Sequence, residues 1–248
     1  MKMTGADLPW RITHYASVDS TNTMLKAMAA DGEPEGRVLI ADRQTAGRGR
    51  MTRSFFSPPG CGLYMSILFR PDLPAADALM LTPAAAVAVA DAVESVLGIE
   101  LGIKWVNDLF CDGRKVCGIL TESAFSADGR LTYAVVGIGL NVRAPADGFP
   151  AELSSIAGAL LPADAPDCRP QLATEILRRC AAFVSALPQV PFLPAYRSRS
   201  VLVDREVLLN PGGDRVKVLG IDDACRLVVQ DGDGVSRALS SGECSVVL

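Results

Sequence analysis

The sequence predicts an α+β protein, with helices packed on a mixed, largely antiparallel sheet and a small β-barrel at the C-terminus. Three observations carry this reading. Helical periodicity appears in three separate stretches, near 21–31, 82–97 and 171–187. Strand-like runs at 115–122 and 131–142 are preceded by the turn pairs Asp112-Gly113 and Asp128-Gly129, which is the pattern of hairpins. The last fifty residues break into short apolar runs at close spacing, as a small barrel would. We expect two domains, 1–196 and 197–248.

Taken in order, Asp19-Ser20-Thr21-Asn22 offers caps for a helix carrying Met24, Leu25 and Met28, with Gly32 as its stop. Val38 to Ala41 is a short buried strand, and Leu63 to Phe69 is another. Thr82-Pro83 predicts a helix start with Thr82 as N-cap; the alanine/valine-rich run after it ends at Gly98. Lys104-Trp105-Val106 is a strand end and Asn107-Asp108 its turn. After a Pro/Ala-rich connection, Leu172, Ile176, Leu177, Cys180, Phe183, Val184 and Leu187 share one helical face, closed by Pro188. Barrel strands are expected near 207–210, 215–221, 226–230 and 235–239.

Composition removes several function classes. With 248 residues, 49% apolar content and a net charge of −4, the chain is globular and has no general attraction for nucleic acid or anionic membrane. The opening MKMTGADLPWRITHY lacks the apolar core of a secretory signal. The apolar window Ala78 to Leu97 is interrupted by Pro83, Asp91 and Glu94 and is not expected to span a membrane. Seven cysteines without a CxxC pair indicate reduced thiols and a cytoplasmic setting, and no metal site is fixed by the sequence. His14 is the only histidine, which disfavours triad chemistry.

Against this acidic background stands QTAGRGRMTRSFFS, 44–57, within a stretch free of carboxylates from Arg43 to Pro71. Arg48, Arg50 and Arg53 supply forks suited to phosphate and carboxylate oxygens. Gly47 and Gly49 let the backbone approach an anion. Taken alone, the loop is also compatible with a solvated segment or a nucleic-acid patch. Gly118, Gly137 and Gly139 lie inside strands, where glycine needs a reason; either a bulge or a ligand against the backbone would supply one. The candidate pocket gathers Ser20, Thr21, Asn22, Gln44 to Arg53, Asn107, Asp108, Lys115 and Asn141, with Trp105, Phe55 and Phe56 as walls. No Walker A motif occurs and GRGR does not fit GxGxxG. Cations and amides without a nucleophilic dyad fit phosphoryl or nucleotidyl transfer between two anionic substrates.

STN near the start, QTAGRGR, KWVNDL, KVCGIL and GIGLNV, in that order, resemble the biotin–protein ligases over roughly residues 10–248. The resemblance implies the short type without an N-terminal DNA-binding domain, and a C-terminal barrel that is SH3-like. It implies formation of biotinyl-5′-AMP from biotin and ATP with Mg²⁺, then transfer of biotin to a lysine on the carboxyl carrier domain of a biotin-dependent carboxylase. By the same resemblance, Ser20, Thr21, Asn22, Gln44, Gly47 and Gly49 lie against biotin, with Gly118 and Gly139 giving backbone access. Arg48 and Arg50 meet the biotin carboxylate and α-phosphate, and Arg53 reaches the triphosphate. Lys115 bridges carboxylate and phosphate, while Trp105, Asn107 and Asn141 face the nucleotide. Asp108 is a catalytic candidate by elimination, since no histidine base is available. The arginine loop is expected to order over the adenylate, and a homodimer is compatible with the family. Departures from the family pattern are Val106 for a proline, Met51 for an arginine, Phe55 for a tryptophan, and Val247 where a basic residue can occur. Alternatives are a lipoate-type ligase or acyltransferase on a related fold, or a non-catalytic anion- or RNA-binding module.

Overall fold

A computed structural model describes residues 10–246 except 211. The first nine residues of the opening stretch, Pro211 of the 211–213 turn, and Val247 lie outside the described residues. In chain order the elements are β1 (Arg11–Tyr15), α1 (Thr21–Ala30), β2 (Arg37–Ala41), β3 (Gly62–Phe69), α2 (Ala75–Ala78), α3 (Leu81–Leu97), β4 (Gly102–Lys104), β5 (Asp108–Cys111), β6 (Arg114–Phe125) and β7 (Leu131–Asn141). They continue with α4 (Arg169–Ala186), α5 (Leu193–Ser198), β8 (Glu206–Asn210), β9 (Arg215–Ile221), β10 (Leu227–Gln230), β11 (Ser236–Leu239) and β12 (Glu243–Val246).

Seven strands form one sheet in the order β1-β2-β3-β7-β6-β5-β4. Only β1 and β2 run parallel; every other neighbouring pair is antiparallel, as the hairpin turns predict. The run GLYMSILF of β3 is buried throughout because both of its faces are covered. Met65, Ile67 and Phe69 belong to the core shared with α3 and α4, while Leu68 on the opposite face joins the cluster with Leu25 and Ala29 of α1. Small side chains of α3, from Ala84 to Ala90, are all buried. Its membrane-like composition therefore reflects a helix enclosed within a protein core.

The sequence reading needs correction at several elements. Thr82 is not an N-cap: α3 begins at Leu81, and Thr82 Oγ1 donates to Thr121 Oγ1 at 2.7 Å. The short α2 leads directly into α3, so no free cap position remains. Asp108 opens β5, and the turn occupies 105–107, with a cis peptide between Trp105 and Val106. β1 escaped notice because its pattern is inverted for a half-buried strand: Ile12 is exposed whereas Arg11 and Thr13 are half-buried. α5 and β12 were likewise not expected, and α5 runs through the position drawn as the domain boundary.

The C-terminal sheet has the order β11-β10-β9-β8-β12, all antiparallel. Trp105 Nε1 donates to Cys225 O at 2.9 Å and Arg197 Nε to Ile221 O at 2.8 Å, fastening this sheet to the larger one. The seven cysteines form no disulfide among the described residues, and burial pushes the Cys225 thiol up to about 12.

Leu25 is fully buried and seats α1 on the sheet. Leu25→Ala should cost about 2–5 kcal/mol, measured by urea denaturation, and should loosen the helix whose N-terminus reaches the cavity described next.

Candidate active site

α1 starts at Ser20, whose extended backbone (φ −157°, ψ 128°) and Oγ, accepting from Thr23 N at 3.4 Å, make it the N-cap. The polar residues that follow do not face solvent: Ser20, Thr21 and Asn22 are all buried. Gln44 Oε1 accepts from Thr21 N at 2.9 Å and from Thr21 Oγ1 at 3.1 Å, and Gln44 Nε2 donates to Ser57 Oγ. Beneath them is Ser66, fully buried, with Oγ 2.7 Å from Thr21 Oγ1 and 2.6 Å from Asn22 Oδ1. Asn22 Nδ2 donates to Leu120 O and Glu122 Oε2, both at 3.1 Å. The helix start is thus a pre-set polar wall whose members orient one another.

The arginine loop closes on itself as a tight hairpin. Gly49 N donates to Arg53 O at 2.7 Å and Phe55 N to Gly47 O at 2.9 Å. Met51 at its tip has φ 52° and is exposed. Arg48 Nη1 lies 3.0 Å from both oxygens of Glu122. Arg50 Nη1 donates to Asn107 Oδ1 at 3.0 Å, and its Nη2 donates to Gly242 O at 3.2 Å. Asn107 Nδ2 in turn donates to Asp108 Oδ1 at 2.9 Å, and Lys115 Nζ sits 2.7 Å from the same oxygen. An unbroken polar chain therefore links Arg50 to Lys115.

These residues line one cavity of about 210 Å³, to which Asn210, Gly242 and Cys244 of the C-terminal sheet also contribute. Five cations reach it, Arg48, Arg50, Arg53, Lys104 and Lys115, against the single carboxylate of Asp108 among the described lining residues. Such an imbalance selects anions. Behind the wall, Glu122 is the counterweight. Its burial favours the neutral acid, but hydrogen bonds from Lys26 and Asn22 and the charge of Arg48 outweigh this and hold the carboxyl below the ordinary glutamate value. It therefore stays ionised at neutral pH.

Most of the residues singled out from sequence converge here, including Ser20, Thr21, Asn22, Gln44, Gly49, Trp105, Asn107, Gly118 and Gly139. Several do not line the cavity, among them Thr45, Ala46 and Met51 of the loop, and three more are placed by contacts elsewhere. Asn141, expected to face a nucleotide, is buried under the returning connection, and its Nδ2 donates to Gly158 O at 2.9 Å. Gly47 packs against its own loop, where a Cβ would lie 2.4 Å from Phe55 O. Phe56 packs edge-on against Phe149. The strand glycines Gly118, Gly137 and Gly139 line the cavity and also lie close to side chains of the protein itself. A Cβ at Gly137 would meet Asn22 Oδ1 at 2.2 Å, and one at Gly139 would meet the Phe55 ring at 2.6 Å. They make room for the protein's own side chains. Ser66 and Glu122 were missed as site-supporting residues. Ser66 is the one aliphatic hydroxyl in the largely apolar run of β3, which was the available signal.

The model of the biotin/lipoate A/B protein ligase family matches residues 15–141, and that of the biotin protein ligase C-terminal domain matches residues 203–247. The chain belongs to the biotin/lipoate A/B protein ligase family. A bifunctional ligase/repressor BirA of Bacillus spizizenii is 44% identical over 143 residues, 58% of this chain and 44% of that protein. This family member thus spans about half the length of that relative. The biotin–[acetyl-CoA-carboxylase] ligase of Mycobacterium tuberculosis is 34% identical over 255 residues, covering 98% of this chain and 91% of the relative. Among solved structures, the biotin protein ligase of Aquifex aeolicus in complex with biotin and ATP superimposes with a TM-score of 0.75 at 26% identity, covering 96% of this chain and 98% of that one.

Gly137→Ala should displace Asn22 from Ser66 and Glu122 at a cost of about 1–3 kcal/mol, read by urea denaturation. Gly118→Ala, whose Cβ would meet the flexible end of Lys115 at 3.3 Å, should cost less in the same measurement.

Proposed function

We propose that this family member is an ATP-dependent biotin–protein ligase. A biotin carboxylate oxygen attacks the α-phosphorus of ATP, expelling pyrophosphate and leaving biotinyl-5′-AMP. A lysine amine of a biotin carboxyl carrier domain then attacks the acyl carbon, AMP departs, and the amine loses a proton as the amide forms. The observation that carries the reading is the convergence of five cations and one carboxylate on a cavity walled by the α1 start. Two anions about 4 Å apart repel by roughly 4 kcal/mol at an effective dielectric constant of about 20. Bringing a carboxylate to a triphosphate therefore requires cations already in place.

In this reading Ser20, Thr21, Asn22 and Gln44 hold biotin's polar ring, and Gly139 and Gly118 floor its site. Arg48 and Arg50 meet the carboxylate and the α-phosphate, while Arg53 serves the remaining phosphates. Lys115, held 2.7 Å from Asp108, carries three protons that can be shared with both reacting anions as charge builds between them. Asp108 fixes that ammonium and is the cavity's own acceptor for the proton of the incoming amine. Trp105 and Asn107 border the nucleotide. Mg²⁺ accompanies ATP: no cluster of three or more ligating side chains is present among the described residues. Asp108, the one carboxylate lining the cavity among the described residues, would be the side chain available to such an ion, which would supply further positive charge to the phosphates. That the seven cysteines form no disulfide among the described residues supports a cytoplasmic setting.

Biotin-dependent exchange of labelled pyrophosphate into ATP tests the reading, with lipoate as a parallel substrate. Exchange with biotin and not lipoate is expected. Lys115→Ala should lower the rate by about 10²–10³-fold; exchange with lipoate alone, or a fully active variant, would overturn the assignment.

A further inference from the structure

We propose that Glu122 is a positioning residue that fastens Arg48 of the arginine loop to Asn22 of α1, setting the cation and the amide side by side at the cavity wall before any ligand arrives. The inference rests on the ligase reading only for what those two groups then contact.

Glu122 lies on β6, two residues beyond Leu120 and four beyond Gly118, so all three point to the face that carries the cavity. Its side chain is 14% exposed and stands behind the cavity wall. Each oxygen has two partners: Oε1 takes Lys26 Nζ at 2.6 Å and Arg48 Nη1 at 3.0 Å, while Oε2 takes Arg48 Nη1 at 3.0 Å and Asn22 Nδ2 at 3.1 Å. Only an ionised carboxylate accepts from three donors in this arrangement. A glutamine of the same shape would turn an NH₂ towards one of them. Because Asn22 Nδ2 is tied to Glu122, its Oδ1 is left facing Ser66, which fixes the amide's orientation. Because Arg48 is tied there too, the base of the hairpin is drawn onto the sheet. One carboxylate thus ties the middle of the loop to α1, beyond the links at the loop's entry, where Thr45 N and Ala46 N bond to Val18 O and Asp19 O and Gln44 Oε1 accepts from Thr21 N and Thr21 Oγ1.

Hydrogen exchange of the ligand-free protein tests this without relying on ligase activity. The reporters are the amides of Gly49 and Phe55, whose bonds to Arg53 O and Gly47 O close the hairpin. Glu122→Gln and Arg48→Gln should each speed their exchange about fivefold, the equivalent of an ion pair worth about 1 kcal/mol. The double variant should be no faster than either single one, because both remove the same link. Arg48→Gln alters a half-exposed loop residue, so it keeps the test valid if Glu122→Gln folds poorly. In the pyrophosphate assay Glu122→Gln should raise the KM for biotin more than it lowers kcat. Wild-type exchange rates in both single variants, or rates that multiply in the double variant, would overturn the proposal. A wild-type protein inert in the pyrophosphate assay would remove the ligase reading and leave the exchange result standing.

Discussion

Like charges must be gathered around one small space, and they repel each other until an anion arrives. The structure meets this constraint by giving the cations protein partners around the cavity. Arg48 rests on Glu122, Lys115 on Asp108, and Arg50 is held by the neutral oxygens of Asn107 and Gly242. These tethers differ in kind, and the difference has consequences. A neutral amide or carbonyl orients Arg50 without cancelling its charge, leaving the guanidinium's attraction for phosphate intact. A carboxylate at 2.7 Å quenches much of the Lys115 charge until competing oxygens share it.

The sheet makes this arrangement possible. α1 crosses one face of β3 and β7 with its N-terminus at the cavity, so the hydroxyl and amide groups there sit over strand positions that have little or no side chain. Gly137 exists for Asn22, Gly139 for Phe55, and Gly118 leaves space for Lys115 to turn inward. The opposite face is filled by α3 and α4, and the part of α3 buried there, Ala84 to Ala90, is alanine and valine alone. The polar wall is stable because its donors and acceptors are answered within the buried network; a half-satisfied version would cost more than an apolar one.

Much of this was legible in the sequence, for identifiable reasons. Hairpin turns announced β6 and β7, and the carboxylate-free arginine loop stood out against an acidic chain. Motifs in order brought Ser20, Gln44, Arg50 and Lys115 to one place although no single motif could. What escaped has physical causes as well. β1 hides because a parallel edge strand can leave Ile12 outside. Thr82 looks like a cap because its chemistry suits one, yet α2 supplies the preceding turn and Thr121 takes the hydroxyl. Asn141 shares strand and spacing with Gly137 and Gly139, but the connection that folds back over β7 claims its amide for Gly158. Only tertiary structure shows that claim, since the partner is seventeen residues away.

The C-terminal sheet is bound into the same network. Trp105, which walls the cavity, is anchored by Cys225 O, and Arg50, on the loop side of the cavity, by Gly242 O. Tyr196 joins from between the two sheets, its hydroxyl donating to Val106 O at 3.0 Å within the turn that carries Asn107. Two contacts thus converge on the stretch 105–108, from the β9–β10 turn and from α5, and a third, from the approach to β12, reaches it through Arg50 and Asn107. A displacement of the small sheet would move Trp105 and Arg50 together, and through Asn107 it would disturb the oxygen that holds Lys115. The cavity is therefore a property of both sheets in contact, and its polar chain is short enough that the large sheet alone would leave it open at the Arg50 end.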